Sequence, residues 1–165
     1  EARGRFARAL QLRLNGEVTA HVTAACRAVG ARLIYLSTDY VFAGDLERPY
    51  DEADTPRPLS PYGESKLAGE RAVAELPNHV IVRTQWLYGP GGKNFIATIV
   101  RAARTRGQLR VVADEWGSPT YAKDLAMGLW QLALNDATGI VHLTNSEICS
   151  WYELALYATG VAGVE

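Results

Sequence analysis

Three side chains in this sequence are suited to proton chemistry at an oxygen atom. Tyr62 and Lys66 stand at i and i+4 in "SPYGESKLAGE", and Thr38 closes the apolar run "RLIYLSTD" upstream of them. Residues at that spacing share one face of a helix. A phenol titrates near pH 10, too high to exchange its proton easily at neutral pH. A cation within about 4–6 Å stabilises the phenolate and lowers that value, and the positive end of a helix adds to the effect. Lys66 can supply the cation. The hydroxyl of Thr38 can hold a substrate oxygen beside the phenol. Such a group is a general acid/base with a positioning hydroxyl, suited to interconverting C=O and CH–OH with a hydride supplied by a nicotinamide. The Tyr/Lys spacing alone is common. A strand, then Ser-Thr, then Tyr-x-x-x-Lys opening the next helix is far more specific.

These residues need elements to hold them. Phe6, Leu10, Leu14, Val18 and Val22 recur at helical spacing, and the helix they predict runs to Val29, with Gly30 as its C-cap. Asn15-Gly16 could divide it. A strand follows at 32–36, then a long loop from Thr38 to Ser60. Ser60-Pro61 reads as N-cap and first residue of a helix reaching Leu76. Strands are predicted at His79–Thr84, at "LRVVAD" (109–114) and at 140–144, and helices at 94–106, 122–135 and 151–158. Strands alternating with helices of this length indicate crossover units and a parallel sheet. The strands are continuous apolar runs, which fits burial on both faces. The fold class expected is therefore α/β, a partial Rossmann-like, doubly wound parallel sheet. Ligands in such sheets bind beyond the carboxyl ends of the strands, where Ser37, Thr38 and Asp39 fall.

Composition narrows the function classes. Of 165 residues, 48% are hydrophobic and 21% charged, enough for a packed core and against disorder. A net charge of −1 gives no global argument for nucleic acid or for an anionic membrane surface. No apolar run approaches the roughly 18 residues that suggest a membrane span. The opening "EARGRFARAL" has no apolar core of a signal peptide. A cytoplasmic protein with Cys26 and Cys149 as reduced thiols is the expectation.

Five stretches carry a family resemblance: "GARLIYLSTDYVFAG", "PLSPYGESKLAGE", "VIVRTQWLYGPGGKNF", "LRVVADEWGSPTYAKDLA" and "GIVHLTNSEICSWYELA". In order and spacing they resemble the extended short-chain dehydrogenase/reductases, in the branch that reduces dTDP-4-dehydro-L-rhamnose to dTDP-L-rhamnose. The "STDYVF" and "WGSPT" wording favours that branch over other nucleotide-sugar reductases and epimerases. The resemblance implies an oxidoreductase using NADPH or NADH, with Mg²⁺ as a further candidate, a nucleotide-sugar substrate, and a homodimer in the full-length protein. It implies Tyr62 as acid/base, Lys66 as its partner and as a grip on the nicotinamide ribose, and Thr38 as the hydroxyl that orients the carbonyl. Asp39 and Trp86 are the implied substrate contacts, with Trp86 against the sugar. Residues 1–90 then correspond to the later part of the NAD(P)-binding domain. Residues 91–165 are mostly a smaller substrate-binding lobe, with segments returning to the main domain.

The departures matter too. The family's Gly-rich dinucleotide loop and its ribose-reading residue have no counterpart here; "GPGGKN" lacks the G-x-G-x-x-G spacing. The chain thus corresponds to the middle and later part of the family's enzyme and is expected not to turn over substrate alone. Ala43 stands where many relatives carry Asp. The family also contains a regulatory subunit of methionine adenosyltransferase, so a non-catalytic binding module is the alternative reading; retention of Thr38, Tyr62 and Lys66 together favours the enzyme. His21, His79 and His142 are read as structural. Trp116 and Phe95 could border a nucleotide or pack the small lobe. Asp114 and Glu115 are read as solvated carboxylates, leaving no metal ligands assigned, and Asn15 as either a kink or a support to the active site.

Overall fold

The computed structural model describes residues 2–164. The chain divides into two compact units: one runs to Thr84 and takes in Leu129–Leu143, and the other comprises Gln85–Gly128 and the segment from Thr144 onward.

The first unit opens with α1 (Ala2–Leu12), a five-residue π-type turn (Arg13–Glu17) and α2 (Val18–Val29). Asn15-Gly16 sits inside that wide turn, so the two residues loosen the helix without ending it. Gly30 closes α2 at φ 69°, a left-handed conformation that glycine adopts at no steric cost. Strand β1 (Leu33–Thr38) follows and includes Ser37 and Thr38, two residues beyond the predicted end. After it, a single 3₁₀ turn (Asp39–Val41) inserts Val41 and Phe42 into a small core with Leu67 and Tyr50. The front of the predicted loop is therefore buried structure. Helix α3 (Pro61–Ala74) starts where Ser60 accepts the N–H of Gly63 at 3.1 Å, and β2 (His79–Thr84) comes next.

Numbering in chain order places β6 at Gly139–His142. The sheet has the order β1-β2-β6, all parallel. Its register pairs Leu33 with His79 and Thr38 with Thr84 on one side of β2, and Val80 with Gly139 on the other. The central position of β2 explains its unbroken apolar reading: Val80, Ile81 and Val82 are buried. The Arg32 guanidinium donates to the carbonyls of Asn135 and Ala137, pinning the start of β1 to the segment that leads into β6.

The second unit contains β3 (Leu87–Tyr88), α4 (Phe95–Arg106), β4 (Trp116–Gly117), β5 (Thr120–Tyr121), β7 (Cys149–Ser150) and α6 (Trp151–Val161). Helix α5 (Ala122–Leu134) passes from this unit into the first. Asn94 caps α4 by accepting the Ala97 N–H at 2.9 Å. Ser150 and Glu153 form a reciprocal capping box at α6. Ile99, Ala155 and Ala158 form this unit's core with Phe95, Ile96 and Val100. The segment 109–114, expected as a strand, is not one. Leu109 and Val111 instead turn into this helical core. They pack, partly buried, against α4 and α6, with no neighbouring strand to complete a ladder. The strand pairs present are two residues each, β3 with β5 in parallel and β4 with β7 antiparallel.

Candidate functional site

Thr38 is the last residue of β1 and opens the 3₁₀ turn. Its Oγ1 accepts the Tyr40 N–H at 3.3 Å and donates to Asp39 Oδ1 at 2.8 Å. Strand alternation points Ser37 the other way, where its hydroxyl donates to the buried Glu70 carboxylate. Ser37 therefore braces α3, and Thr38 is left for the site. Tyr62 lies in the first turn of α3, 40% exposed, with Tyr40 edge-on to its ring at 5.8 Å. Burial pushes the Tyr62 phenol up from its ordinary value; the nearby Thr38 hydroxyl pulls it down, and the negative charges of Asp39 and Tyr40 push it up again. Burial also raises Asp39, against the hydrogen bond from Thr38. The sequence thus brings Thr38, Asp39 and Tyr62 together at the carboxyl end of β1.

Lys66 is one turn further along α3. Its Nζ donates to the Leu36 carbonyl at 2.6 Å and stands 4.3 Å from the centre of the Tyr35 ring. Burial lowers its pKa, with Glu70 acting in the opposite direction. The sequence reading has Lys66 lowering the Tyr62 phenol; in the structure the phenol is raised, and the ammonium is held by a carbonyl and an aromatic face instead. A phenol raised in this way is fully protonated at neutral pH, so the arrangement is a proton donor flanked by a hydroxyl, with a cation one turn away.

The supports under this trio are residues the sequence left open or passed over. Asn15, in the π-type turn, donates to Ser65 Oγ at 3.0 Å, and Ser65 donates to the Tyr62 carbonyl at 2.7 Å. The Tyr35 hydroxyl reaches the Asn15 and Lys66 carbonyls at 3.4 Å. Two glycines permit this closeness: a Cβ at Gly63 would lie 2.1 Å from the Tyr40 carbonyl oxygen, and one at Gly69 2.4 Å from that of Asn15. Glycines inside an otherwise good helix were the available signal. Beneath them, Arg83 on β2 makes a two-pronged contact with Glu70 on α3, Nε to Oε1 at 3.0 Å and Nη2 to Oε2 at 2.7 Å, both side chains almost wholly buried.

The remaining candidates have neighbours of their own. Trp86 belongs to the second unit and stacks on Trp151 with centroids 3.4 Å apart; Phe95 packs on the same Trp151 at 4.4 Å. Trp116 is largely exposed in β4. His79 bonds the Leu76 carbonyl through Nδ1. The backbone N–H of His142 donates to Glu52 at 2.8 Å, and its ring packs edge-on to Phe42. Cys26 and Cys149 are free thiols. Glu115 accepts the Trp151 indole N–H at 3.2 Å, and among the described residues no group of three or more His, Cys, Asp or Glu gathers. No helix among them is long and apolar enough to cross a membrane.

Comparison with known proteins bears on what this arrangement does. Residues 6–165 match the family model described as the RmlD substrate binding domain. The chain is 45% identical over 138 residues to the spore coat polysaccharide biosynthesis protein SpsK of Bacillus subtilis, covering 83% of this chain and 48% of that protein. It is 47% identical over 154 residues to a dTDP-4-dehydrorhamnose reductase of Streptomyces griseus, covering 89% and 51%. Among solved structures, the dTDP-4-dehydrorhamnose reductase of Bacillus anthracis in complex with NADP superposes with a TM-score of 0.91 at 43% identity, covering 96% of this chain and 57% of that one. The chain spans about half the length of the curated relatives it matches.

Proposed function

Because the chain belongs to the RmlD substrate binding domain family, we propose that it supplies the proton-donating and sugar-binding residues of an NAD(P)H-dependent reductase acting on dTDP-4-dehydro-L-rhamnose. The observation that carries this reading is the placement of Thr38, at the carboxyl end of β1 in the parallel sheet, beside Tyr62 in the first turn of α3, with Lys66 one helical turn on. The first unit is then the later part of the dinucleotide-binding domain, and the second the substrate lobe.

Tyr62 donates its phenolic proton to the C4 carbonyl oxygen of the keto sugar as that oxygen gains charge. Thr38 donates a hydrogen bond to the same oxygen and fixes its angle to the phenol. Asp39, beside Thr38, contacts a sugar hydroxyl, and Trp86 lies against the sugar ring. NADPH or NADH, when bound, supplies the hydride. The residues present fit the nicotinamide end of that cofactor: the Tyr62 hydroxyl and the Lys66 ammonium stand on one helix face, where both can hold ribose hydroxyls. No G-x-G-x-x-G occurs in the 165 residues, so no pyrophosphate grip is assigned to them.

The test is Tyr62→Phe in a full-length protein carrying this chain. The expected result is a fall in kcat of about 10²-fold or more, the scale of a lost general acid, with dTDP-L-rhamnose still bound. Near-unaltered turnover would end the assignment.

A further inference from the structure

Among the described residues, Trp86 is the only non-glycine with a positive φ, 47°. A bulky side chain adopts that conformation only where its surroundings over-determine it, and the surroundings here are explicit. One face of the Trp86 indole lies on Trp151, centroids 3.4 Å apart and planes 14° from parallel. The Trp151 ring is itself fixed, by the Glu115 carboxylate at its N–H (3.2 Å) and by Phe95 at 4.4 Å. A Cβ on Gly117 would fall 2.6 Å from Trp86 Cε2 and 2.9 Å from Cζ2, so the bare backbone of β4 is what lets the ring sit there. The Trp86 carbonyl accepts the Thr120 N–H at 3.2 Å, anchoring the strained residue from the backbone side. β4 and β7 pair Trp116 with Ser150 and Gly117 with Cys149, bringing Gly117 and the start of α6 into one ladder.

We propose that Trp151 and Gly117 are positioning residues for Trp86: they hold its indole in a preset orientation that forms one wall of the sugar subsite. The inference rests on the reading of Trp86 as a sugar contact. A ring stacked beforehand has no rotamer freedom left to lose when the sugar arrives, so the contact gains affinity through preorganisation. In Gly117→Ala the new methyl must displace the indole, and in Trp151→Leu the stack is gone.

The experiment uses a full-length protein carrying this chain, with dTDP-L-rhamnose and dTDP as the two probes in calorimetric titrations and the exciton couplet of stacked indoles read by circular dichroism. The unaltered protein is expected to show the couplet and to bind dTDP-L-rhamnose more tightly than dTDP. Gly117→Ala and Trp151→Leu are each expected to lose the couplet and about tenfold in affinity for dTDP-L-rhamnose, with dTDP affinity unchanged. Trp151→Phe should restore most of the loss. Loss of dTDP affinity in parallel would mark a folding defect and overturn a sugar-specific role. If Trp86→Phe weakens dTDP-L-rhamnose while both neighbour variants bind it normally, the positioning role falls and the Trp86 contact stands. If Trp86→Phe itself binds normally, or the unaltered protein does not distinguish the probes, the contact is wrong and the proposal falls with it.

Discussion

Tyr35 lies beneath the Lys66 ammonium, and burial pushes its phenol up to about 12, with Glu70 and Tyr62 adding to the rise and a hydrogen bond with Thr19 opposing it. In an unfolded chain the same phenol titrates near 10. The folded state thus holds this proton more tightly than the unfolded one, and the stability it contributes is complete below about pH 10. That contribution drains away as the pH climbs from about 10 toward about 12. Denaturant midpoints measured at about pH 9 and about pH 11 should fall steeply for the unaltered chain and less for Tyr35→Phe. Equal alkaline loss in the two would place the sensitive group elsewhere. Burial raises the Tyr62 phenol in the same direction, while the Lys66 ammonium is tied to the Leu36 carbonyl.

Helix α3 must stay seated on β1 and β2 for Tyr62 to meet Thr38, and the buried Glu70–Arg83 pair is its fastening. Removing one charge leaves the other desolvated, a loss of about 3–5 kcal/mol. Urea unfolding of Glu70→Gln should show it, whereas replacing both residues by well-packed apolar ones should recover much of the stability; a mild single-variant effect would show that water reaches Arg83. Gly63→Ala tests the same seat from the other end, since its methyl would meet the Tyr40 carbonyl. It should tilt the first turn of α3 and lower turnover more than stability. Much of this element was legible in the sequence because its signals are local: Ser60-Pro61 as cap and first residue and Tyr-x-x-x-Lys as a face, just as Gly30 marked the end of α2. What was not legible depends on distant partners. Leu109 and Val111 read as part of a strand because an apolar run cannot say whether its neighbours are strands or helices. The two-residue ladders and the Trp86–Trp151 stack join segments far apart in the chain. The direction of the Tyr62 shift depends on burial and on where the Lys66 ammonium is tied, which spacing does not specify.

Across the whole molecule, two features predict how the 165 residues behave alone. Hydride transfer needs the nicotinamide held at reacting distance from the carbonyl, and positioning of that kind can be worth about 7–11 kcal/mol of barrier. The pyrophosphate grip in this fold class comes from a Gly-rich loop at a helix N-terminus, and the sequence contains none. The proposed trio of Thr38, Tyr62 and Lys66 without that grip should leave NADPH and NADH weakly held and the keto sugar unreduced. The second feature is apolar surface: Phe6, Leu10, Leu14, Val18 and Val22, the residues whose spacing announced the first helices, are 72%, 43%, 55%, 47% and 44% exposed. An apolar stripe of that length facing water favours association, and the open edge of the sheet at β1 is a second site for it. The isolated chain should therefore bind a hydrophobic dye in its folded state and sediment as larger species with rising concentration. Phe6→Lys with Val22→Lys should reduce both effects without changing its far-UV spectrum. Saturable NADPH binding with turnover by a monodisperse 165-residue chain would refute both parts, and would show that these residues build a dinucleotide site from something other than a Gly-rich loop.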